Sequence, residues 1–247
     1  MPPFETHLET SKKRTGKDYS PLHAWLDNDS AHKKERHDLD LLVENRNHVL
    51  MSWGEEAVRE FFQHIVEDLA MKDIDTLKKA GCPDEAIEHS IEVARKALEI
   101  SSRIKRVMDR KLIVLGAIYH DLGKARTYGM QHGEIGAQMA VELGLDAQII
   151  DIILKHIRGG LTEPEAVELN LPVRDYTLRT PEEKIVIYAD RLVDIYTDGI
   201  VPDIDENGAE ARFEEILTHY EKYGKNAVTL KRYMALNKEL HQWMDES

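Results

Sequence analysis

The run KLIVLGAIYHDLG, residues 111–123, is apolar almost throughout and ends on an adjacent histidine and aspartate. Its apolar part belongs in a core, yet it falls far short of the roughly 20 residues that cross a bilayer. The last turn therefore carries His120 and Asp121 to the interior, where an unpaired polar group is costly to bury. Any fold that buries this helix must also supply the pair with a partner.

Apolar residues recur at helical spacing from about residue 55 to residue 243, and strand signals are few. The expected fold class is all-α. Helices are expected at 55–70, at 83–104 with Pro83 in the first turn, at 111–123, at 132–144, and at 146–160 with Gly159 and Gly160 as stop signals. TPEEKIVIYADRLVDIYTDG (180–199) carries the firmest boundary: Thr180 as N-cap, Pro181 next and Glu183 third make a capping box. Two further helices are expected near 208–223 and 226–244, split by Gly224. The first fifty residues are polar, broken by Gly16 and Pro21, and hold His7, His23, His32, His37 and His48. The expected organisation is a His-rich N-terminal region, 1–70, a central domain, 71–200, and C-terminal helices, 201–247, packed on it.

Composition narrows the chemistry. The lone Cys82 allows neither an intramolecular disulfide nor a thiolate zinc site. Any metal must then be held by histidine and carboxylate. A formal charge of -13 over 247 residues argues against a broad nucleic-acid surface, which depends on clustered Lys and Arg, but leaves room for a small anionic ligand. MPPFETHLETSKKR lacks the apolar centre of a secretory signal, so no membrane and a cytoplasmic location are expected.

Helical spacing turns the central histidines inward. His89 shares a stripe with Val93, Ala97 and Ile100; His132 opens one with Ile135, Gly136, Met139, Ala140 and Leu143; His156 closes one made by Ile149, Ile152 and Ile153. Asp190 sits among Val186, Ile187 and Val193. A single inward histidine is ordinarily a satisfied core residue. Four imidazoles and two carboxylates on converging helices need a shared partner, and one or two divalent cations supply it.

The ordered set His89, His120-Asp121, His132, His156 and Asp190 resembles the HD-domain superfamily of metal-dependent phosphohydrolases, over about residues 72–199. The runs EHSIEVA, HDLGKA, HGEIGAQ, ILKHI and TPEEKIVIYAD look like an HDIG-type branch and are similar to the HD enzymes that split diadenosine tetraphosphate symmetrically; Leu122 replaces the isoleucine of the HDIG wording. The resemblance implies an HD helical bundle in which His89, His120, Asp121 and Asp190 hold a first metal. His132 and His156 complete a second, with Asp121 bridging. The implied ions are iron or manganese, with zinc, cobalt, nickel or magnesium as others such ligands accept.

Asp121 and Lys124 are the catalytic candidates, and Lys124, Arg158 and Arg191 the candidate substrate contacts. Lys124 follows Asp121 by one turn, so its ammonium is placed to reach a phosphate beside the metals. In the segment after Gly160, Tyr176 and Arg179 are candidates to line a pocket rim. The partner implied is a small phosphorylated molecule such as a nucleotide, and a homodimer is compatible with the sequence. Two alternatives share the ligand set: a mixed-valence di-iron oxygenase, and a sensor or scaffold that has lost catalysis. The stretch DYSPLHAWLDNDSAHKKERHD (18–38), with His7 upstream, is similar to a small domain family of unknown function. It is expected to wrap the central domain through Leu22, Trp25 and Leu26, or else to form a separate metal or partner site.

Overall fold

The computed structural model describes residues 4–246 and divides the chain into two compact units, one ending at Lys72 and the other beginning at Asp73. All regular structure among the described residues is helical, and no helix among them is long and apolar enough to cross a membrane.

The first unit contains α1 (Phe4–Thr15), α2 (Ser20–Asp27), the single turn α3 (Lys33–Arg36), α4 (Leu42–Trp53) and the first part of α5 (Glu55–Ala80). Gly54, at φ 86°, separates α4 from α5 in a conformation that costs other residues strain. The unit's buried apolar residues include Leu22, Leu26, Leu42, Val49, Phe61, Phe62, Ile65 and Val66. The expected wrapping extension is therefore a compact unit in its own right. Trp25 is only half buried and stacks on His48, while Leu22 and Leu26 are the buried anchors. Helix α5 overruns its expected end because MKDIDTLKKA contains no breaker before Gly81, which takes φ 88°.

The second unit continues with α6 (Asp84–Ser102), α7 (Arg110–Tyr119), α8 (His132–Glu142), α9 (Ala147–Lys155), the short α10 (Glu163–Glu168) and α11 (Pro181–Thr197). Four C-terminal helices follow: α12 (Glu206–Ala211), α13 (Phe213–His219), α14 (Glu221–Gly224) and α15 (Ala227–Asp245). Pro83 stands at the N-cap of α6 rather than inside its first turn. Helix α7 packs against α6, α9 and α11 and is buried over most of its length, as its apolar sequence demands.

Three boundaries differ from expectation for local reasons. Helix α9 stops at Lys155, before the paired glycines, because Arg158 already adopts the left-handed conformation (φ 52°). The expected helix at 208–223 is three short ones, interrupted at Arg212 and at Tyr220, whose backbone is extended (φ −111°, ψ 101°). Asn226, not Gly224, sets the start of α15, its side chain accepting from Thr229 N at 2.8 Å. The capping box of α11 is present as read, and Glu183 also joins two helices, since its Oε1 accepts from Lys155 Nζ at 2.6 Å and so ties α11 to α9.

Charged groups also fasten α12 to α6. Arg95 and Lys96 are essentially inaccessible, yet Arg95 meets Glu92, Glu99 and Glu206, and Lys96 meets Glu99, Glu206 and Glu210. Buried cations are tolerated only with such compensation.

Candidate metal centre

The six histidines and aspartates singled out in the second unit converge. Their positions follow from where helices end. His120 caps the C-terminus of α7, Asp121 opens the next turn, His132 is the first residue of α8, and His156 caps α9, while His89 and Asp190 lie within α6 and α11. Gly123 and Gly136 allow the turn after Asp121 to lie directly on α8: a Cβ on Gly123 would sit 1.9 Å from the His132 carbonyl oxygen.

Three rings share one device. His120 Nδ1 is 2.6 Å from the Ala117 carbonyl, His132 Nδ1 2.7 Å from that of Gly129, and His156 Nδ1 2.6 Å from that of Ile153. A carbonyl only accepts, so each Nδ1 carries a proton and each neutral ring presents an Nε2 lone pair to the centre. His132 Nε2 and His156 Nε2 then face each other at 2.8 Å with no proton between them. His120 Nε2 is buried with no hydrogen-bond partner among the described residues. A buried acceptor left neutral and unpaired costs about 1–3 kcal/mol, so the set calls for positive charge, a proton on His120 or a metal cation, that a packed core does not supply.

The carboxylates divide these lone pairs into two groups. His89, His120 and Asp190 form one and Asp121, His132 and His156 the other, the ligand atoms of each lying within 4.8 Å of one another. Asp121 reaches both. Its Oδ1 is 3.3 Å from His132 Nε2 and 3.4 Å from His156 Nε2; its Oδ2 is 3.3 Å from His120 Nε2 and 3.9 Å from His89 Nε2. Asp190 Oδ1 lies 3.0 Å from His89 Nε2 and 3.5 Å from His120 Nε2.

The electrostatics demand positive charge at this spot. Burial opposes ionisation of Asp121 and Asp190, but neighbouring histidines outweigh it and hold both carboxyls well below the usual range. Burial pushes His120 down as well, yet Asp121 and Asp190 prevail and raise it to about 10. His156 has no such support and is lowered, chiefly by burial. A metal-free centre thus keeps a proton on His120, the charge that an ion would supply in its place.

The remaining candidates separate. Lys124 is a quarter exposed, and its Nζ lies 2.5 Å from Asp121 Oδ2, beside the cluster. Arg191 is buried and engaged elsewhere, donating to Asp194 at 3.0 Å and to the Tyr233 hydroxyl at 3.1 Å. Arg158 lines a different cavity with Glu168, Glu221, Lys222, Lys225 and Asn226. Tyr176 is not a rim residue: it belongs to a small core with Ile157, Leu161, Ala166 and Leu171, and its hydroxyl donates to Glu134. Arg179 is exposed and paired with Asp175. Sequence reasoning passed over Asp194, one turn beyond Asp190, whose carboxyl is raised to about 6 by burial and by Asp190, with Arg191 opposing. Its signal was the spacing of four on a helix already known to face inward.

Comparison with known proteins agrees with this geometry. The HD domain family model matches residues 86–193. An uncharacterized protein of Methanocaldococcus jannaschii is 35% identical over 170 residues, covering 67% of this chain and 94% of that protein. The chain belongs to the HD-domain family. Partial relatives include a tRNA (cytidine(56)-2'-O)-methyltransferase of Picrophilus torridus, 38% identical over 117 residues, and a ribonuclease Y of Sulfurovum sp., 32% identical over 125 residues. These alignments cover 47% and 46% of this chain but only 34% and 24% of the relatives. No solved structure matches. Family membership gives a metal-dependent hydrolase class, and the His/Asp groups are suited to divalent ions.

Proposed function

We propose that this protein is a phosphohydrolase with a binuclear centre, cleaving a phosphoester or phosphoanhydride of a nucleotide or another small phosphorylated molecule. The observation that carries the reading is Asp121, whose two oxygens face two separate histidine groups while Lys124 stands against it. His89, His120 and Asp190 would hold one ion, His132 and His156 the other, with Asp121 shared. Iron or manganese suits this mixture of imidazole and carboxylate. Bound there, two divalent ions supply a water of lowered pKa and neutralise charge on a phosphoryl group.

The chain's own residues supply orientation and a further charge. Carbonyls of Ala117, Gly129 and Ile153 fix the tautomer and direction of three rings, so the ligands are largely pre-oriented. Burial lowers the Lys124 ammonium's affinity for its proton, but Asp121 outweighs this and raises it, so the group stays cationic and positioned beside a phosphoryl oxygen. The resemblance of HDLGKA and TPEEKIVIYAD to the diadenosine tetraphosphate hydrolases points to nucleotides as the first substrates to try.

The test is anaerobic purification, metal analysis, and a nucleotide panel assayed for phosphate release with manganese or iron. Release that is lost in Asp121→Ala supports the proposal. Oxygen uptake with a mixed-valence iron signal, and no phosphate release, would replace it with the di-iron oxygenase.

A further inference from the structure

A second set of histidines and acids lies wholly within the first unit. His23 and Asp27 are on α2, His37 follows α3, and His64 and Asp68 are one turn apart on α5. Ligand atoms of Asp27, His37, His64 and Asp68 lie within 4.8 Å of one another. The side chains of Asp27 and Asp68 are 5% and 7% exposed and that of His64 is 0% exposed, so this is a core feature and not a solvated acidic surface.

Hydrogen-bond bookkeeping assigns the rings. His23 Nε2 lies 3.2 Å from Glu60 Oε1, and Arg14 donates to both oxygens of that carboxylate at 2.8 Å. His23 Nε2 therefore carries the proton, and its Nδ1 accepts from His64 Nδ1 at 3.1 Å. That leaves His64 Nε2 as a lone pair. His37 Nδ1 donates to the Lys33 carbonyl at 2.7 Å, which leaves His37 Nε2 as a lone pair too. The two lone pairs face each other at 3.0 Å.

Carboxylate oxygens complete the surround. Asp68 Oδ2 is 3.3 Å from His37 Nε2 and 3.6 Å from His64 Nε2, and it is buried with no assigned hydrogen-bond partner among the described residues. Asp27 oxygens stand 3.7 Å from His37 Nε2 and 3.8 Å from His64 Nε2. Outer groups hold both carboxylates: Asp68 Oδ1 meets His7 Nε2 at 3.0 Å, and Lys33 Nζ stands 2.7 Å from Asp27 Oδ1, the same oxygen that faces His37 Nε2.

We propose that Asp27, His37, His64 and Asp68 form a second, independent metal site that holds one divalent transition-metal ion in a closed, structural coordination. Two imidazoles and two carboxylates suit zinc, manganese, iron or cobalt, and four protein ligands with no open position are the pattern of a structural ion. His7, His23 and Lys33 are the outer groups that orient the ligands. In a tetrahedral site with bonds near 2.1 Å, ligand nitrogens stand about 3.4 Å apart, so the His37 and His64 rings need part only slightly. Such an ion would clip α2 and the segment after α3 to α5. The site does not rest on the phosphohydrolase reading.

The experiment uses the full chain carrying Asp121→Ala and His132→Ala, which removes ligands of the HD centre. After chelation and dialysis against Co2+ or Zn2+, we expect one tightly held ion per chain, with the strong visible absorption of four-coordinate Co2+. Adding His37→Ala or the near-isosteric Asp68→Asn should abolish that ion and raise hydrogen exchange across residues 20–41. Wild-type protein gives a second arm if the multiple variants misfold: each single substitution should lower its ion count by one. A helical HD-centre variant that binds no ion, or an ion count unmoved by both His37→Ala and Asp68→Asn, would overturn the site and assign the cluster to a proton shared with His37.

Discussion

The HD centre and the N-terminal cluster each bring two Nε2 atoms face to face without a proton between them, at 2.8 Å in one and 3.0 Å in the other. They differ in what happens to the ligands' other atoms. Around the HD centre, backbone carbonyls take the far side of three rings, and both oxygens of Asp121 remain turned toward histidines. In the N-terminal cluster side chains take that place, His23 at His64 Nδ1 and His7 at Asp68 Oδ1, while Lys33 meets Asp27 Oδ1, the oxygen that faces His37. The first presents two groups of ligand atoms that share Asp121; in the second, Asp27, His37, His64 and Asp68 converge on one another. Under the two proposals, ligand identity alone does not separate a reactive centre from a structural clip, and the atoms behind the ligands are where they differ.

The contrast can be broken most directly at the shared carboxylate. Asp121→Ala should remove both HD-centre ions and lower phosphate release by roughly 10^3-fold or more, since metal ions supply several kcal/mol of transition-state stabilisation. Metal analysis should show the N-terminal ion still in place. Lys124→Met comes next: it should keep every ion and lower turnover by about 10^2-fold, the scale of removing one preorganised charge-stabilising group. Loss of metal in that variant would make Lys124 a support for Asp121 rather than a substrate contact.

A smaller effect belongs to the frame. Gly123→Ala forces a methyl against the His132 carbonyl and should cost about 1–3 kcal/mol of stability in urea unfolding. The N-terminal unit should be untouched, which hydrogen exchange can resolve by region.

The smallest effect is a proton count. His120 is raised above its unfolded value to about 10, so in metal-free protein its contribution to stability is complete below about 6.5 and fades as pH rises through about 10. Loading the HD centre at pH 8 should therefore expel about one proton per chain, seen with an indicator dye, and affinity should weaken as pH falls. His64, pushed to about 2, is already neutral and should release none.

Much of the second unit was legible because its signals are local. The apolar run before His120-Asp121, the stripes through His89 and His156, and the Thr180–Glu183 capping box each depend on a few neighbouring residues. Helix ends were harder: the paired Gly159 and Gly160 mark the end of α9 only to within a few residues, because Arg158 before them already goes left-handed. Substrate contacts were hardest, since Arg191 looks free beside Asp190 in sequence but is committed to Asp194 and Tyr233 in space. The N-terminal histidines were noticed together with the acids that alternate with them in 18–38, Asp27 among them, but without Asp68. Asp27 and Asp68 become ligands only once α2, α3 and α5 pack together, and the sole local hint was the spacing of four between His64 and Asp68.

The central claim is that Asp121 is shared between two ions. Anomalous diffraction from manganese-loaded crystals tests it directly. Two peaks in contact with Asp121, one also held by His89, His120 and Asp190 and the other by His132 and His156, are the predicted result; a single peak, or a pair that Asp121 does not touch, would contradict it.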